Sequence, residues 1–479
     1  MGRRKKDIVR VEQSYGVMPF VLEEVDGQST LTARSGLVCV VEAARAMGLA
    51  QQAQRSVSIK QRERGYSEWE FVESLVTLIA GGGECLDDLR ALQADRGFVS
   101  LLGHEIPSAS AAKKFLYGFH DQSRAAHVAA QRELIPSYVP QESTPLLGLE
   151  EVNRHLIRQA QRSCPQRIAT LDHDGTIIES AKRSAAMTYQ GTTGYQPSLV
   201  LWAEQDLIVA DEFRDGNVPA GCDVLRVVRR AFDALPESIE QIYYRADSAS
   251  YNHELLNWLR EEENGHPRAI FAVSADMSPQ LKEAVLGVED WHADPGDTCR
   301  SWGEVDFVPS APSTKKGRKP DRYLAIRIVP RQKELFADGS SVKYFAVVSN
   351  DFKRGGQELI HWHRQKAGTI EHTHNVLKND LAAGVLPCDR FGANAAWLRL
   401  NVITYNLLSV LKRTALPEEL HRARPKRLRF LVFNIAGELI RHARQIIIRV
   451  TGALDQCALR LSQVRRQLLQ QTPVWGPPG

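Results

Sequence analysis

From about residue 36 to residue 120, apolar positions recur at steps of three and four. Leu37, Val40, Val41, Ala44 and Met47 form one such series, and Phe71, Leu75, Leu78 and Ile79 form another. That period is the mark of helices that bury one face. Gly81-Gly82-Gly83 stops one helix, and Pro107-Ser108-Ala109-Ser110 before Ala111–Leu116 reads as the capped start of another, with Lys113 and Lys114 in its first turns. Residues 1–145 are therefore expected to be a helical N-terminal domain, and contact with DNA through its last helix, dimerisation and plain packing are equally open as its role. Past the Pro-containing stretch 136–145 and a helix near 147–161, the pattern changes to that of strands at 167–171, 198–202 and 207–210. An amphipathic helix over 219–234, a strand at 242–244, a helix over 251–263 and a strand at 269–273 complete the series.

Three strands, a helix, a strand, a helix and a strand is the order of a ribonuclease-H-like core, whose first part is placed at 146–275. From 276 to 343 the alternation gives way to short β-type runs with Gly, Pro and basic residues, including Tyr323–Val329. This segment is read as a β-rich insertion. The core resumes with the strand 344–348 and a helix over 356–382, so its second part is 344–414, ending in a helix over 393–414. A basic helical C-terminal region, 415–479, follows, with a helix over 427–463 and a tail from 472. The expected fold class is α/β: a ribonuclease-H-like catalytic core with a β-rich insertion, an all-helical N-terminal domain and C-terminal helices.

Composition narrows the classes. The 479 residues, 43% hydrophobic and 25% charged, are a globular mixture with material for a core of a few domains. No apolar run approaches the ~18–20 residues that span a bilayer, and the opening Met-Gly-Arg-Arg-Lys-Lys has no signal-peptide character. A bacterial cytoplasmic, nucleoid-associated protein is expected. Seven scattered cysteines without a Cys-x-x-Cys spacing argue against thiolate zinc and a disulfide framework. Net charge is only +4, but eight Lys or Arg stand against Asp321 between 315 and 333, and ten against three Glu between 412 and 449. Clusters of this kind suit a phosphate-bearing partner.

Against that background three acidic positions stand out: Asp174 in Leu-Asp-His-Asp-Gly-Thr, Asp247 in Arg-Ala-Asp-Ser, and Glu371 in Gly-Thr-Ile-Glu-His-Thr-His-Asn-Val-Leu-Lys. The first two end strand-like runs and the third lies on a predicted helix. Carboxylates distant in sequence can thus converge on divalent metal. Hydrolysis or transfer of a phosphodiester needs an activated oxygen nucleophile and a stabilised leaving oxygen, and two Mg²⁺ ions about 3.5–4 Å apart provide both. Asp172 and Asp174 point to the same face of a strand, so direction does not separate them. Asp174 is preferred because Gly175 permits a turn beside it, with Asp172 in support. Glu371 and Lys378 lie seven residues apart on one helical face, placed to hold metal and phosphate together. His361, His363, His372 and His374 crowd the same region, but His-x-His pairs diverge by about 200° on a helix and chelate zinc poorly.

Leu-Asp-His-Asp-Gly-Thr also resembles the opening motif of haloacid-dehalogenase-type phosphatases, which would make Asp172 a nucleophile. That reading leaves Glu371 and both basic clusters unused. Across most of the chain the motifs more closely resemble a bacterial insertion-sequence transposase of the DDE type, within it the thirteen-eighty family. The resemblance implies that Asp174, Asp247 and Glu371 are the catalytic triad binding two Mg²⁺, with Mn²⁺ able to substitute. It implies cleavage at the ends of the element and attack of the freed 3′-hydroxyl on target DNA. The partners would be double-stranded DNA, as terminal inverted repeats and target, and a second copy of the chain in a synaptic complex. The third motif departs from the related pattern: Ala367 occupies an Arg position and Arg364 a Tyr position, so Arg364 or Lys366 would supply the cation. Arg245, Arg364, Lys366 and Lys378 are candidate DNA contacts. By the same resemblance Trp291 or Trp302 would stack on a flipped base, although each also suits the core of a small β-domain. A transposase-derived DNA-binding protein without catalysis is the alternative.

Overall fold

The computed structural model describes residues 30–60, 64–261, 267–309, 320–330, 340–442 and 445–450, with 8–10, 23–25, 336, 463, 466 and 467. Most of the first basic cluster (Lys315, Lys316, Arg318, Lys319, Arg331 and Lys333), Arg444 of the second and the tail from 472 lie outside the described residues.

The N-terminal helices form where local signals ask for them. Ser67 and Glu70 close a capping box at the start of Glu68–Gly81, which ends on Gly82 in the left-handed region at φ 98°. Ser108 caps Ala109–Tyr117 through the Ala111 amide. These helices, with Val38–Ala46 and Thr144–Ser163, pack around one long helix, Phe391–Ala415, which is buried along nearly its whole length. A helix surrounded on every side must satisfy its polar side chains internally. Asn401 accepts from the Ala382 amide at 2.8 Å, and Asn406 exchanges hydrogen bonds with the backbone of Ile208 at 2.7 and 2.8 Å. One continuous apolar cluster runs from Leu37 through Leu171 and Trp397 to Phe433, joining helices and sheet.

The central sheet has nine strands. In spatial order they are Leu207–Glu212, Ser198–Trp202, Ile168–Gly175, Gln241–Ala246, Ala269–Ala275, Lys343–Ser349, Arg322–Ile328, Asp297–Val305 and His292–Asp294. Ile168–Gly175, Gln241–Ala246 and Ala269–Ala275 are parallel and the remaining pairings antiparallel. Val224–Ala234 and His253–Arg260 make the two parallel crossovers. The expected order of core elements is present, in a mixed α/β fold with a helical N-terminal part. The β-rich stretch after 276 does not stand apart: its strands continue the main sheet through Lys343–Ser349, after a helix at Pro279–Leu286 that the sequence reading did not include.

Three further corrections follow from tertiary pairing. The predicted helix 356–382 is broken into Gly356–Arg364, a tight turn Gln365–Gly368 and Ile370–Asn379. Much of the predicted helix 427–463 is replaced by Pro425–Leu428, a π-helical turn Arg429–Phe433 and a hairpin of Gly437–His442 with Gln445–Val450. The run Ile446-Ile447-Ile448 is β-branched and favours a strand, and Gly437–Glu438 find a third strand in Leu31–Thr32, some four hundred residues away in sequence. The chain passes so close there that a Cβ on Gly36 would lie 1.6 Å from the Val432 carbonyl oxygen. Ile178–Glu179, Ala186–Met187 and Thr193–Tyr195 form a small sheet that no sequence signal announced. Among the described residues, no helix is long and apolar enough to cross a membrane.

Candidate active site

Parallel register sets the first half of the site. Arg245 lies opposite Asp172 and Ala246 opposite His173, so the next positions along the two strands are Asp247 and Asp174. Asp247 turns out of its strand and caps the short turn Ser248–Ser250, accepting from the Ala249 amide at 3.1 Å. The strand of Asp174 continues through Gly175, whose backbone is ordinary, so the turn expected of that glycine is absent. Glu371 lies in the first turn of Ile370–Asn379, exposed to solvent, on a helix that packs against the Asp174 strand.

The electrostatics tie the three together. Burial pushes the Asp174 carboxyl up to about 6, and the charges of Asp247 and Glu371 push the same way while Lys366 opposes them. Lys366 Nζ and His374 Nε2 each stand 3.8 Å from Asp174 Oδ2. Among the described residues, no three His, Cys, Asp or Glu side chains are closed into a ready-made metal cage. The donor chemistry nevertheless fits a hard divalent cation: carboxylates that raise one another's proton affinity are the oxygen set such an ion would neutralise.

Asp172 has a different fate. It is fully buried, with Arg245 Nε on Oδ1 at 2.7 Å, Arg245 Nη2 on Oδ2 at 2.8 Å, and the Thr369 hydroxyl donating to Oδ2. No lone pair faces solvent, so it cannot be the nucleophile that the phosphatase resemblance required. The expected DNA contact at Arg245 is corrected for the same reason. Its guanidinium is 3% exposed and is spent on Asp172, the Trp362 carbonyl at 2.8 Å and Gln365 Oε1 at 3.3 Å. This pair, with Thr369, clamps the break between the two helices onto the Asp174 strand.

The remaining candidates divide. Lys366 is buried, with Nζ 3.8 Å from Asp174 Oδ2, whereas Arg364 is exposed, 3.6 Å from Asp294 on the sheet extension. Lys378 Nζ donates to Thr176 Oγ1 at 2.9 Å and to the Ile177 carbonyl at 3.3 Å, fastening the chain that leaves Asp174, and burial lowers its pKa. Trp302 packs over Gly356, where a Cβ would meet its ring at 2.1 Å, and Trp291 lies under the Arg327 guanidinium at 4.3 Å. Both indoles are half-buried. Of the four histidines, His361 and His372 are exposed, and His363 and His374 are buried, so neither pair is a chelate. His363 Nε2 meets the Ala246 carbonyl at 3.0 Å, and burial lowers it to about 4; burial, then Lys378 and Lys366, lower His374 to about 3. Thr369 and His374 were missed as site residues. They lie inside the quoted Glu371 motif, and nothing in the sequence separates them from their neighbours.

The family model described as transposase DDE domain group 1 matches residues 19–466. No curated protein is similar enough to match. Among solved structures, the chain is similar to a piggyBac transposase in a cryo-EM structure of its synaptic complex with hairpin DNA, at TM-score 0.44 and 11% identity, covering 94% of this chain and 89% of that one.

Proposed function

The chain belongs to the transposase DDE domain family, group 1, and from that footing we propose that it cuts the ends of an insertion sequence and joins them to target DNA. Membership carries DNA transposition as the general activity. The finer reading places Asp174, Asp247 and Glu371 as the catalytic carboxylates of a ribonuclease-H-like core in a protein of the thirteen-eighty family. Its partners are paired terminal inverted repeats and target DNA, engaged as a homodimer. The strand order around Ile168–Gly175, antiparallel on one side and parallel on the other, supports that core. One observation carries the assignment: the register that puts Asp247 beside Asp174, whose carboxyl is pushed up to about 6 by burial and by the other two charges.

Two Mg²⁺, or Mn²⁺, bound by these carboxylates would supply the Lewis acidity that activates the attacking oxygen and stabilises the leaving one. The chain's own residues do the rest. Asp172, Arg245 and Thr369 hold the Glu371 helix against the strand. Lys366 offsets charge at Asp174 and is placed to meet a phosphate oxygen. In cleavage, the oxygen of water bonds to phosphorus and the 3′-oxygen leaves with a proton; in joining, that 3′-hydroxyl loses its proton as its oxygen bonds to a target phosphorus, and the target's own P–O3′ bond breaks, its 3′-oxygen leaving with a proton. Incubation of end-labelled terminal-repeat DNA with Mg²⁺ should give nicks and strand-transfer products. Asp247→Ala should reduce them by at least about 10³-fold, or about 4 kcal/mol of barrier. Cleavage at the normal level by the variant would remove Asp247 from the catalytic set.

A further inference from the structure

The helix of Glu371 carries a second group turned towards Asp174. His374 follows Glu371 by three residues, hence on the same helical face, and its ring is buried. A buried imidazole normally spends both nitrogens on hydrogen bonds. His173 does so nearby, with Nδ1 at the Tyr244 and Ser250 hydroxyls and Nε2 at the Ser198 hydroxyl. Neither His374 Nδ1 nor Nε2 has a partner among the described residues, and Nε2 is 3.8 Å from Asp174 Oδ2. One of the two unpartnered ring nitrogens therefore stands next to the carboxylate cluster.

We propose that His374 is a nitrogen ligand to the divalent cation that Asp174 holds. This rests on the carboxylate reading above and adds a donor that the three acidic residues do not include. Adjacent ligands of an octahedral ion with bonds of about 2.1 Å lie about 3 Å apart, so a movement of about 1 Å brings Nε2 and Oδ2 into that relation. An imidazole in an oxygen site favours a transition ion over Mg²⁺. The site is therefore one in which Mn²⁺ gains more from the nitrogen than Mg²⁺ does.

The test uses the full chain with Mn²⁺ alone, read by pulsed electron paramagnetic resonance and by titration of free Mn²⁺. Wild type should show the ¹⁴N coupling of a bound imidazole. His374→Gln and His374→Ala should both lose it, with Mn²⁺ affinity reduced about 10- to 100-fold and Mg²⁺ affinity reduced less. Circular dichroism and thermal melting show that each variant is folded, and either folded variant suffices. Absence of the coupling in wild type, or its persistence in His374→Gln, overturns the proposal. Asp247→Ala separates the two readings: if it abolishes Mn²⁺ binding while wild type shows no coupling, only the histidine inference fails. If it leaves binding unchanged, the carboxylate reading fails.

Discussion

Asp172 and Asp174 occupy the same face of one strand, two residues apart, and the fold treats them oppositely. Asp172 is neutralised by Arg245 and Thr369, while Asp174 is left with burial and two neighbouring carboxylates against Lys366 at 3.8 Å and the Gly175 amide at 3.0 Å. Its folded pKa of about 6 lies above the ordinary 3.8. The folded protein therefore keeps a proton across that window which the unfolded chain has released. Stability rises as pH falls through about 6, and above it the ionised carboxylate costs the fold on the order of 3 kcal/mol. Without divalent cation, Asp174→Asn should accordingly unfold at higher urea than wild type at pH 8, by about 1–3 kcal/mol, and the gap should close by pH 4. Equal urea midpoints at pH 8 would show that Asp174 is not destabilised in the folded state. Added Mg²⁺ should raise the wild-type midpoint and leave the variant's nearly unchanged, since only a native-state ligand stabilises by mass action.

At the scale of elements, the break between Gly356–Arg364 and Ile370–Asn379 is the device that orients Glu371. Thr369 makes the join: its hydroxyl reaches Asp172 on the strand and the Lys366 carbonyl at 3.0 Å within the turn. A hydrogen bond to a charged group contributes about 1.5–3 kcal/mol. Thr369→Val keeps the shape and removes that anchor, so DNA end cleavage should fall about 10- to 100-fold, whereas Thr369→Ser should retain most of the rate. Equal rates for the two variants would mean that shape alone sets the helix. The predicted continuous helix over 356–382 failed at this join because helical periodicity holds on both sides of it, and only the contact with the strand shows the interruption. The hairpin Gly437–Val450 was misread for a related reason. Arg441, Arg449 and the apolar run Ile446–Ile448 fit a helical pattern as readily as a strand, until Leu31–Thr32 is there to pair with.

Across the whole molecule, Arg399 fastens the parts that the sequence presents separately. It sits at 1% exposure on the long helix Phe391–Ala415 and contacts Asp211 on the outer strand at 3.1 Å, Glu142 before the Thr144–Ser163 helix at 2.9 Å, and the Leu146 carbonyl at 2.9 Å. The two guanidinium groups of Arg399 and Arg230 hold the Glu142 carboxyl well below its ordinary range despite its burial. Removing one partner of such a buried network strands the others, at a cost of about 3–5 kcal/mol. Arg399→Ala should lose that much in urea unfolding at neutral pH. A loss below about 1 kcal/mol would show that water enters and satisfies the acids.

What the sequence determined by itself is local and periodic. Strand ends at 174 and 247, a helix through 371, the order of core elements and the buried helix near 393–414 all follow from apolar spacing and capping residues. Burial of one face constrains such spacing wherever the chain lies. Only the tertiary structure decided which neighbours those elements meet. It buried Asp172 and Arg245 in an ion pair with each other and extended the main sheet with the β-rich segment. It also set His374 Nε2 3.8 Å from Asp174 Oδ2. A side chain's role depends on which charges and donors surround it in the folded chain, and these come from residues tens to hundreds of positions away.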